Sequence, residues 1–248
     1  MSYLIFDLET LAADCAPDFI DKPATIEPPD LEAITPAGGL KDPAKIAESI
    51  SKRKVAAIED YEERQAAEIA RYETLLSRAA LDWNLSRIAA IGWHVNGERE
   101  PQCEVAQTEA EEVGLLRNFW KLTQGRKIVG FSVRTFDLPT LIQRSRLLNV
   151  PHPSLSLARY GRGDYVDIRD LLTFEDGRRD YIMPQSLKAF AKRFGIPSLD
   201  PTSGKDVAQM VADGDWEGVR AHCLADVDLT RELALRIHCL PTWKAVAA

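Results

Sequence analysis

Short apolar runs alternate along this chain with segments whose apolar residues recur every three or four positions. Short apolar runs are typical of buried strands, and helical spacing is typical of helices with one buried face. The predicted strands are residues 3–8, 87–95, 102–107 and 127–133, with a further short strand opening a helix at 164–172. The predicted helices of this pattern are residues 109–123, 137–148, 185–194, 204–213 and 215–238. This order predicts an α/β fold in which a mixed β-sheet is flanked by helices.

Residues 11–85 interrupt the pattern directly after the first strand. Six of the 14 prolines fall between residues 11 and 43, which predicts an irregular loop. Residues 44–80 contain neither glycine nor proline, and their apolar positions recur at helical spacing among charges of both signs. We therefore predict a single domain over 1–248, whose insertion is a Pro-rich loop followed by one long charged helix or a helical hairpin.

The net charge of −7 limits the kinds of nucleic-acid-binding protein that this chain can be. Proteins that coat duplex DNA carry a basic surface, because their affinity comes largely from neutralising phosphates. An enzyme that holds a few nucleotides in a metal-lined cleft has no such requirement, since bound cations neutralise the phosphates. The acidic balance therefore argues against the first class and is compatible with the second.

Cysteine spacing and hydropathy indicate in which cellular compartment the protein is expected. The four cysteines are widely spaced and form no CxxC pair, which argues against a disulfide framework or a structural zinc site. The first residues lack the positive start and the long apolar core of a signal peptide. No apolar run approaches the roughly 20 residues of a membrane-spanning helix. We therefore expect a cytoplasmic protein with reduced thiols and no membrane association.

Two carboxylates stand at the end of the first predicted strand. Asp7 and Glu9 are two positions apart, so in a strand their side chains point to the same face. Like charges at that distance are unfavourable unless a cation lies between them, and oxygen-rich clusters suit Mg²⁺ or Mn²⁺. A solvated pair at a strand end is the alternative, but the apolar residues 3–6 predict a central strand and argue against it.

Two further acidic positions lie later in the chain. Asp137 follows a predicted strand and a turn and opens a helix, where, taken alone, it is better explained as the helix N-cap. His222 and Asp226 are four positions apart in a predicted helix and therefore share one face, although such a pair is often only a stabilising surface interaction. Neither segment indicates a catalytic site when it is taken alone.

Taken together and in order, these segments resemble the DEDD superfamily of 3′–5′ exonucleases, which have an RNase H-like fold. The FDLET of residues 6–10 is similar to the first motif of that superfamily. The GFSVRTFD of residues 130–137 is similar to the second motif, and the HCLAD of residues 222–226 to the third. Residues 214–230 also resemble the last helices of predicted exonucleases related to the proofreading domain of family B DNA polymerases.

Two residues depart from the family pattern. In addition, the resemblance does not include the insertion, residues 11–85. It covers residues 1–10 and 86–240. Ser132 stands where the second motif usually has asparagine, so we expect an altered rather than a lost site. The third motif combines the spacing of the tyrosine subgroup with the histidine of another subgroup, which places His222 one position closer to Asp226 than such a histidine usually is.

The resemblance implies a metal-dependent 3′–5′ exonuclease that acts on single-stranded or frayed 3′ ends of DNA and releases nucleoside 5′-monophosphates. It implies two divalent ions, Mg²⁺ or Mn²⁺, as cofactors of a two-metal hydrolysis. The implied metal ligands are Asp7, Glu9, Asp137 and Asp226. The predicted catalytic residues are these four and His222, which would orient or deprotonate the attacking water. The predicted substrate-binding residues are Leu8, Thr10, Ser132 and Phe136.

Several alternatives stay open at this point. Leu8 and Phe136 suit a hydrophobic core equally well, and the same carboxylates would serve an RNA-degrading 3′–5′ exoribonuclease. The fold could also carry a non-catalytic nucleic-acid-binding or scaffolding module, although such a module has no need of clustered carboxylates. Single-stranded DNA is the expected partner, in DNA repair or replication, with RNA as the alternative. The 44–80 helix is expected to be either a solvated helix that only packs along the domain, or a lid, a homodimerisation arm or a docking element for another protein.

Overall fold

The computed structural model describes residues 2–158, 164–174 and 181–240, and the chain forms two compact units. The first unit comprises residues 1–13 and 80–248, and the second comprises Asp14–Ala79. All the residues of the three motifs belong to the first unit. Among the described residues, no helix is both long enough and apolar enough to cross a membrane.

A five-stranded sheet forms the centre of the first unit. Its strands are β1 (Ser2–Ala12), β2 (Ser86–Val95), β3 (Gln102–Val105), β4 (Arg126–Gly130) and β5 (Tyr165–Asp167). Their order in space is β3-β2-β1-β4-β5. The pairs β1–β2 and β2–β3 are antiparallel, whereas β1–β4 and β4–β5 are parallel. The sheet is therefore mixed, and β1 is its central strand.

Seven α-helices are present in the part of the chain that the structure describes. They are α1 (Pro43–Ala79), α2 (Glu109–Leu122), α3 (Asp137–Leu147), α4 (Ile168–Leu172), α5 (Leu187–Arg193), α6 (Val207–Ala212) and α7 (Trp216–Arg236). Apolar residues of α2 and α3 pack on one face of the sheet, and those of α5 and α7 pack on the other. The predicted mixed sheet flanked by helices, with a long helix after the first strand, is confirmed.

The second motif departs from its predicted element boundaries. The apolar pattern predicted a strand over 127–133, but β4 ends at Gly130. Ser132 adopts a φ of 63°, in the left-handed region that residues other than glycine rarely take, and this conformation breaks the extended backbone. The chain then turns and enters α3 at Asp137.

The two faces of β1 serve different purposes, because side chains alternate along a strand. The side chains that pack in the core with α2 and α3 are those of Leu4, Phe6 and Leu8. The side chains that pack in the core with α5 and α7 are those of Tyr3 and Ile5. The alternation places Asp7 and Glu9 on the α7 side, in the part of β1 that extends beyond its pairing with β4.

A glycine allows α7 to approach the sheet closely. Gly92 on β2 is the partner of Asp7, and a Cβ atom added to it would lie 2.8 Å from Cys223 Sγ and 3.0 Å from Val227 Cγ2. Both neighbours belong to α7, so a larger residue at this position would push the helix away. The close approach brings the third motif over the end of β1, where Cys223 Sγ lies 3.7 Å from the backbone oxygen of Asp7.

The chain leaves the sheet after β1 and returns to it as β2. The pairing of these strands extends to Ala12 and Ser86. Beyond that pair, the backbone N–H of Ala13 donates to the carbonyl oxygen of Leu85 at 2.7 Å. The two ends of the intervening segment are therefore neighbours.

In the second unit, α1 is one continuous helix of 37 residues rather than a hairpin. At about 1.5 Å per residue, its length is roughly 55 Å. The Pro-rich segment contains a short 3₁₀ helix, Ala16–Asp18, and lies along α1. The Ala24 N–H donates to Glu68 Oε2 at 3.2 Å, and Arg53 Nη1 donates to the carbonyl oxygen of Thr35 at 2.7 Å.

Candidate active site

The ends of β1 and α7 bring carboxylates and an imidazole together. One group of side chains whose potential ligand atoms lie within 4.8 Å of one another consists of Asp7, Glu9 and Cys223. A second group with the same spacing consists of Asp200, His222 and Asp226. The two groups meet where His222 Nε2 lies 3.5 Å from Glu9 Oε1, and both of these side chains are almost completely buried. The structure thus brings the first and third motifs together.

Asp137 joins this cluster from the second motif. It is the first residue of α3 rather than its N-cap, a place that Phe136 takes, and only 4% of its surface is exposed. Burial, together with the charge of Asp167, raises the pKa of Asp137 to about 7, although hydrogen bonds from its own backbone amide and from that of Leu8 act in the opposite direction. The interaction with Leu8 places the carboxyl group at the end of β1, next to Asp7.

The carboxyl groups of the cluster repel one another in a buried setting. Burial raises the pKa of Asp7 well above its usual range, and the charges of the other three carboxylates raise it further. Burial, followed by the charges of Asp226 and Asp137, raises the pKa of Glu9 in the same way. Burial also raises the pKa of Asp226, although nearby basic groups offset part of this rise. In the fully ionised state the cluster would therefore carry more negative charge than its surroundings compensate.

Two observations make this cluster suitable for divalent cations. Four carboxyl groups with raised pKa values share one small region, and a cation between them would remove the repulsion. The Oδ1 atom of Asp226 is buried and accepts no hydrogen bond from the described part of the chain, so it is available to a ligand. Mg²⁺ and Mn²⁺ prefer oxygen donors of this kind. The residues present therefore fit a divalent metal centre.

The imidazole of His222 is held from both sides. Its Nδ1 lies 2.6 Å from Asp200 Oδ2 and 3.0 Å from Thr202 Oγ1, while its Nε2 faces Glu9. Lys188 Nζ lies 3.0 Å from the same Asp200 oxygen. Burial raises the pKa of Asp200, but its hydrogen-bond donors, Thr202 first among them, outweigh burial and hold the pKa well below its usual range.

Sequence reasoning missed two residues of this site, Asp200 and Cys223. Asp200 lies in an irregular segment after α5, 22 positions before His222, and no periodicity connects the two. Its only local signal is an Asp-Pro-Thr sequence, which is typical of a turn. Cys223 gave no separate signal, because its four-residue spacing to Val227 is typical of the buried apolar face of a helix.

A further buried carboxylate shapes the loop of the second motif. Asp167, at the end of β5, accepts the backbone N–H groups of Ser132 at 3.0 Å and of Arg134 at 2.9 Å. It also accepts the first backbone N–H groups of α4 and so caps that helix. Its hydrogen bonds hold the loop that contains the left-handed Ser132 and leads into Asp137. Asp167 therefore supports the site through its hydrogen bonds, and its charge raises the pKa of Asp137.

The predicted substrate-binding residues occupy different settings. Leu8 is 6% exposed and packs in the core, on the face of β1 opposite the carboxylates. Thr10 donates its hydroxyl to a backbone carbonyl oxygen at 2.7 Å. Ser132 forms the left-handed turn, and Phe136 is half-buried where α3 begins. The structure therefore places Phe136 directly beside a residue of the cluster, but it does not bring the Leu8 side chain there.

Comparison with known proteins gives a matching family and a similar fold. Residues 80–242 match the model of a family described as a predicted 3′–5′ exonuclease related to the exonuclease domain of PolB. Among solved structures, the family B DNA polymerase from the hyperthermophilic archaeon Pyrobaculum calidifontis is similar, with a TM-score of 0.52 and 21% sequence identity. The similarity covers 65% of this chain and 23% of the polymerase chain, and at this identity it concerns the fold alone. No curated protein matches the chain.

Proposed function

This chain belongs to the family of predicted 3′–5′ exonucleases related to the exonuclease domain of PolB, and on that basis we propose that it degrades DNA from the 3′ end. The proposed substrate is a single-stranded or frayed end, and the proposed products are nucleoside 5′-monophosphates. The observation that carries the proposal is the convergence, from three separate motifs, of the four carboxylates Asp7, Glu9, Asp137 and Asp226. Their mutual repulsion destabilises the fold, so a role in binding cations explains the cluster better than a structural role does.

In the proposed enzyme the four carboxylates would hold two divalent cations, Mg²⁺ or Mn²⁺. Asp7 would be the central ligand of this set, because the charges of the other three carboxylates all act on it. Glu9 and Asp226, which lie close to His222, and Asp137 would complete the ligand set. When bound, the cations would lower the pKa of a water molecule and offset the charge that develops on the phosphate and the leaving oxygen.

His222 is the candidate proton acceptor for the attacking water. A general base must lie within hydrogen-bond reach of the proton that it removes. The Nε2 atom of His222 faces the cluster at Glu9, whereas its Nδ1 atom is occupied by Asp200. As the water oxygen attacks the phosphorus, its proton passes to Nε2 and the bond from phosphorus to the 3′-oxygen of the preceding nucleotide breaks. That oxygen leaves with a proton from the solvent.

The acidic character of the protein favours contact with only a few nucleotides. With a net charge of −7, phosphate binding depends on local cations rather than on a basic surface. The half-buried ring of Phe136 next to Asp137 suits stacking on the terminal base, which does not depend on base identity. Thr10 donates its hydroxyl hydrogen to the backbone, so its oxygen can still accept a hydrogen bond from the terminal 3′-hydroxyl group.

The proposal is tested by incubating the protein with 5′-labelled single-stranded DNA and RNA in Mg²⁺ or Mn²⁺. We expect a ladder of shortened 5′-labelled DNA and the release of nucleoside 5′-monophosphates, both abolished by EDTA and by Asp7→Asn. Asp228→Asn is the matched control, because it removes another carboxylate of α7. It should retain full activity, since Asp228 pairs with Arg231 at 3.5 Å and does not belong to the cluster.

Two results would count against the proposal. If only RNA is shortened, the substrate is RNA rather than DNA and the chain is an exoribonuclease. Labelled DNA and RNA that stay intact in both metals would refute the enzyme itself and favour a non-catalytic binding module.

A further inference from the structure

Four ionisable side chains form a continuous chain of contacts through the candidate site. Lys188 Nζ lies 3.0 Å from Asp200 Oδ2, and Asp200 Oδ2 lies 2.6 Å from His222 Nδ1. On the other side of the ring, His222 Nε2 lies 3.5 Å from Glu9 Oε1. Since His222 and Glu9 are 3% and 5% exposed, water screens these contacts only weakly. The four residues come from α5, an irregular segment, α7 and β1, so the arrangement is a product of the tertiary fold.

Asp200 is fixed by more than its contact with His222. Thr202 donates its backbone N–H at 2.9 Å and its hydroxyl at 2.5 Å to Asp200 Oδ1. Lys188 Nζ contacts Oδ2 and also the backbone carbonyl oxygens of Asp200 and Thr202. Thr202 therefore binds one carboxylate oxygen of Asp200 and Lys188 binds the other. Together they orient Oδ2 toward His222 Nδ1.

Asp200 has the spacing of a metal ligand but the surroundings of a hydrogen-bond acceptor. Its carboxylate oxygen lies within 4.8 Å of potential ligand atoms of His222 and Asp226. The ammonium group of Lys188, however, already compensates its charge and would repel a cation bound at that oxygen. The carboxylates of the candidate metal centre differ in this respect, because burial and mutual repulsion dominate their surroundings.

The identity of residue 222 explains why such support is needed. Imidazole has two nitrogens, and in its neutral form only the nitrogen without a hydrogen can accept a proton. A carboxylate at Nδ1 keeps the hydrogen on that nitrogen and directs the lone pair of Nε2 toward the cluster.

We propose that Asp200 is a positioning residue of the proposed exonuclease, acting through His222 rather than on the substrate or the cations. It fixes the imidazole in the orientation and tautomer in which Nε2 accepts the proton of the attacking water. Lys188 and Thr202 in turn fix Asp200. The catalytic consequence rests on the proposed function, whereas the hydrogen bond between Asp200 and His222 is a property of the protein alone.

The tautomer is measured in the metal-free protein by ¹⁵N NMR of labelled histidine side chains, at a pH at which the ring is neutral. His222→Ala identifies the His222 signals by their loss. We expect the ring hydrogen on Nδ1 in the wild type and a mixture of tautomers in Asp200→Ala. Asp206→Asn, which removes an exposed carboxyl of the same segment, should leave the signals unchanged. A wild-type ring with its hydrogen on Nε2 would overturn the proposal.

The catalytic consequence is measured by a double-mutant cycle between residues 200 and 222. Asp200→Asn and Asp200→Ala should each lower kcat about 10- to 100-fold, the usual effect of losing such a supporting group, and leave KM within about twofold. In the His222→Ala background, the same substitutions should change kcat no further. Asp200→Asn keeps the shape of the side chain. If Asp200→Ala folds poorly, Asp200→Asn alone shows whether Asp200 acts through His222.

Failure of this inference and failure of the proposed function give different results. If Asp200 does not act through His222, the wild type is active but the losses of kcat are equal in both backgrounds, or neither Asp200 variant loses activity. If the chain is not an exonuclease, the wild type and Asp7→Asn are equally inactive on DNA and RNA. In that case the NMR measurement still decides whether Asp200 sets the tautomer of His222.

Discussion

The carboxylate cluster should destabilise the metal-free protein, and a single substitution should relieve part of that instability. Asp137 is 4% exposed, and burial raises its pKa from 3.8 to about 7. Because the folded pKa lies above the unfolded one, ionisation of this group costs folding stability progressively as the pH rises from about 4 to about 7. Asp137→Asn removes the charge and keeps the shape of the side chain.

The size of the effect follows from the pKa difference. Each pKa unit corresponds to about 1.4 kcal/mol, so the rise from 3.8 to about 7 amounts to about 4 kcal/mol at pH 8. Asparagine retains one acceptor oxygen and loses the other, at a cost of about 1 kcal/mol. We therefore expect Asp137→Asn to raise the free energy of unfolding by about 3 kcal/mol at pH 8. It should give no gain near pH 4, where the folded state is almost fully protonated and the unfolded state is only partly ionised.

Urea unfolding in EDTA at the two pH values measures this difference. Asp228→Asn is the control, because the Asp228 side chain is 48% exposed, and it should change the free energy of unfolding by less than about 0.5 kcal/mol. Adding Mg²⁺ or Mn²⁺ should favour the wild type, since a ligand that binds only the folded state stabilises it. A loss of stability in metal-free Asp137→Asn at pH 8, or an equal change at both pH values, would refute the claim that the cluster is electrostatically uncompensated.

Two further substitutions test the backbone around the site. Gly92→Ala should lower the free energy of unfolding by about 1–3 kcal/mol and slow nucleotide release, because the new methyl group would meet Cys223 and displace α7. Thermal unfolding and the nuclease assay measure this, with Gly114→Ala as the control because its Cβ would meet nothing within 4 Å. Ser132→Gly should raise the free energy of unfolding by about 0.5–1 kcal/mol, because glycine adopts a φ of 63° with little strain. A lower melting temperature of Ser132→Gly would show that the serine side chain contributes more than its backbone strain costs.

The parts of the site that follow local rules could be predicted from the sequence. The alternation of side chains along β1 places Asp7 and Glu9 on one face, whatever the rest of the fold is. Helical spacing places His222 and Asp226 together, because residues four positions apart lie on the same face of a helix. The position of Asp137 was not available from spacing, because it depends on the left-handed turn that ends β4, and the apolar pattern continues through that turn. Its inclusion depended on the family resemblance.

The supporting residues could not be predicted, because their contacts are tertiary. Asp200 meets His222 across 22 positions, and Asp167 meets the backbone of Ser132 across 35. Neither separation corresponds to a helical or strand period. For α1, periodicity predicted a helix but could not distinguish one helix from a hairpin, since a bend need not interrupt the apolar pattern. Its roles as a lid, a dimerisation arm or a docking element stay predictions.

The hydrogen bond between Ala13 and Leu85 closes the base of a very long β-hairpin. Viewed from the sheet, the chain between these two residues is the turn that joins β1 to β2. The entropic cost of closing a flexible loop grows only with the logarithm of its length, by about 0.6 kcal/mol for each doubling. Relative to a four-residue turn, the 71 residues from 14 to 84 amount to about four doublings, or about 2.5 kcal/mol, whereas ten further residues would add only about 0.1 kcal/mol. Insertions and deletions there can accumulate without altering the register that fixes Asp7 opposite Gly92.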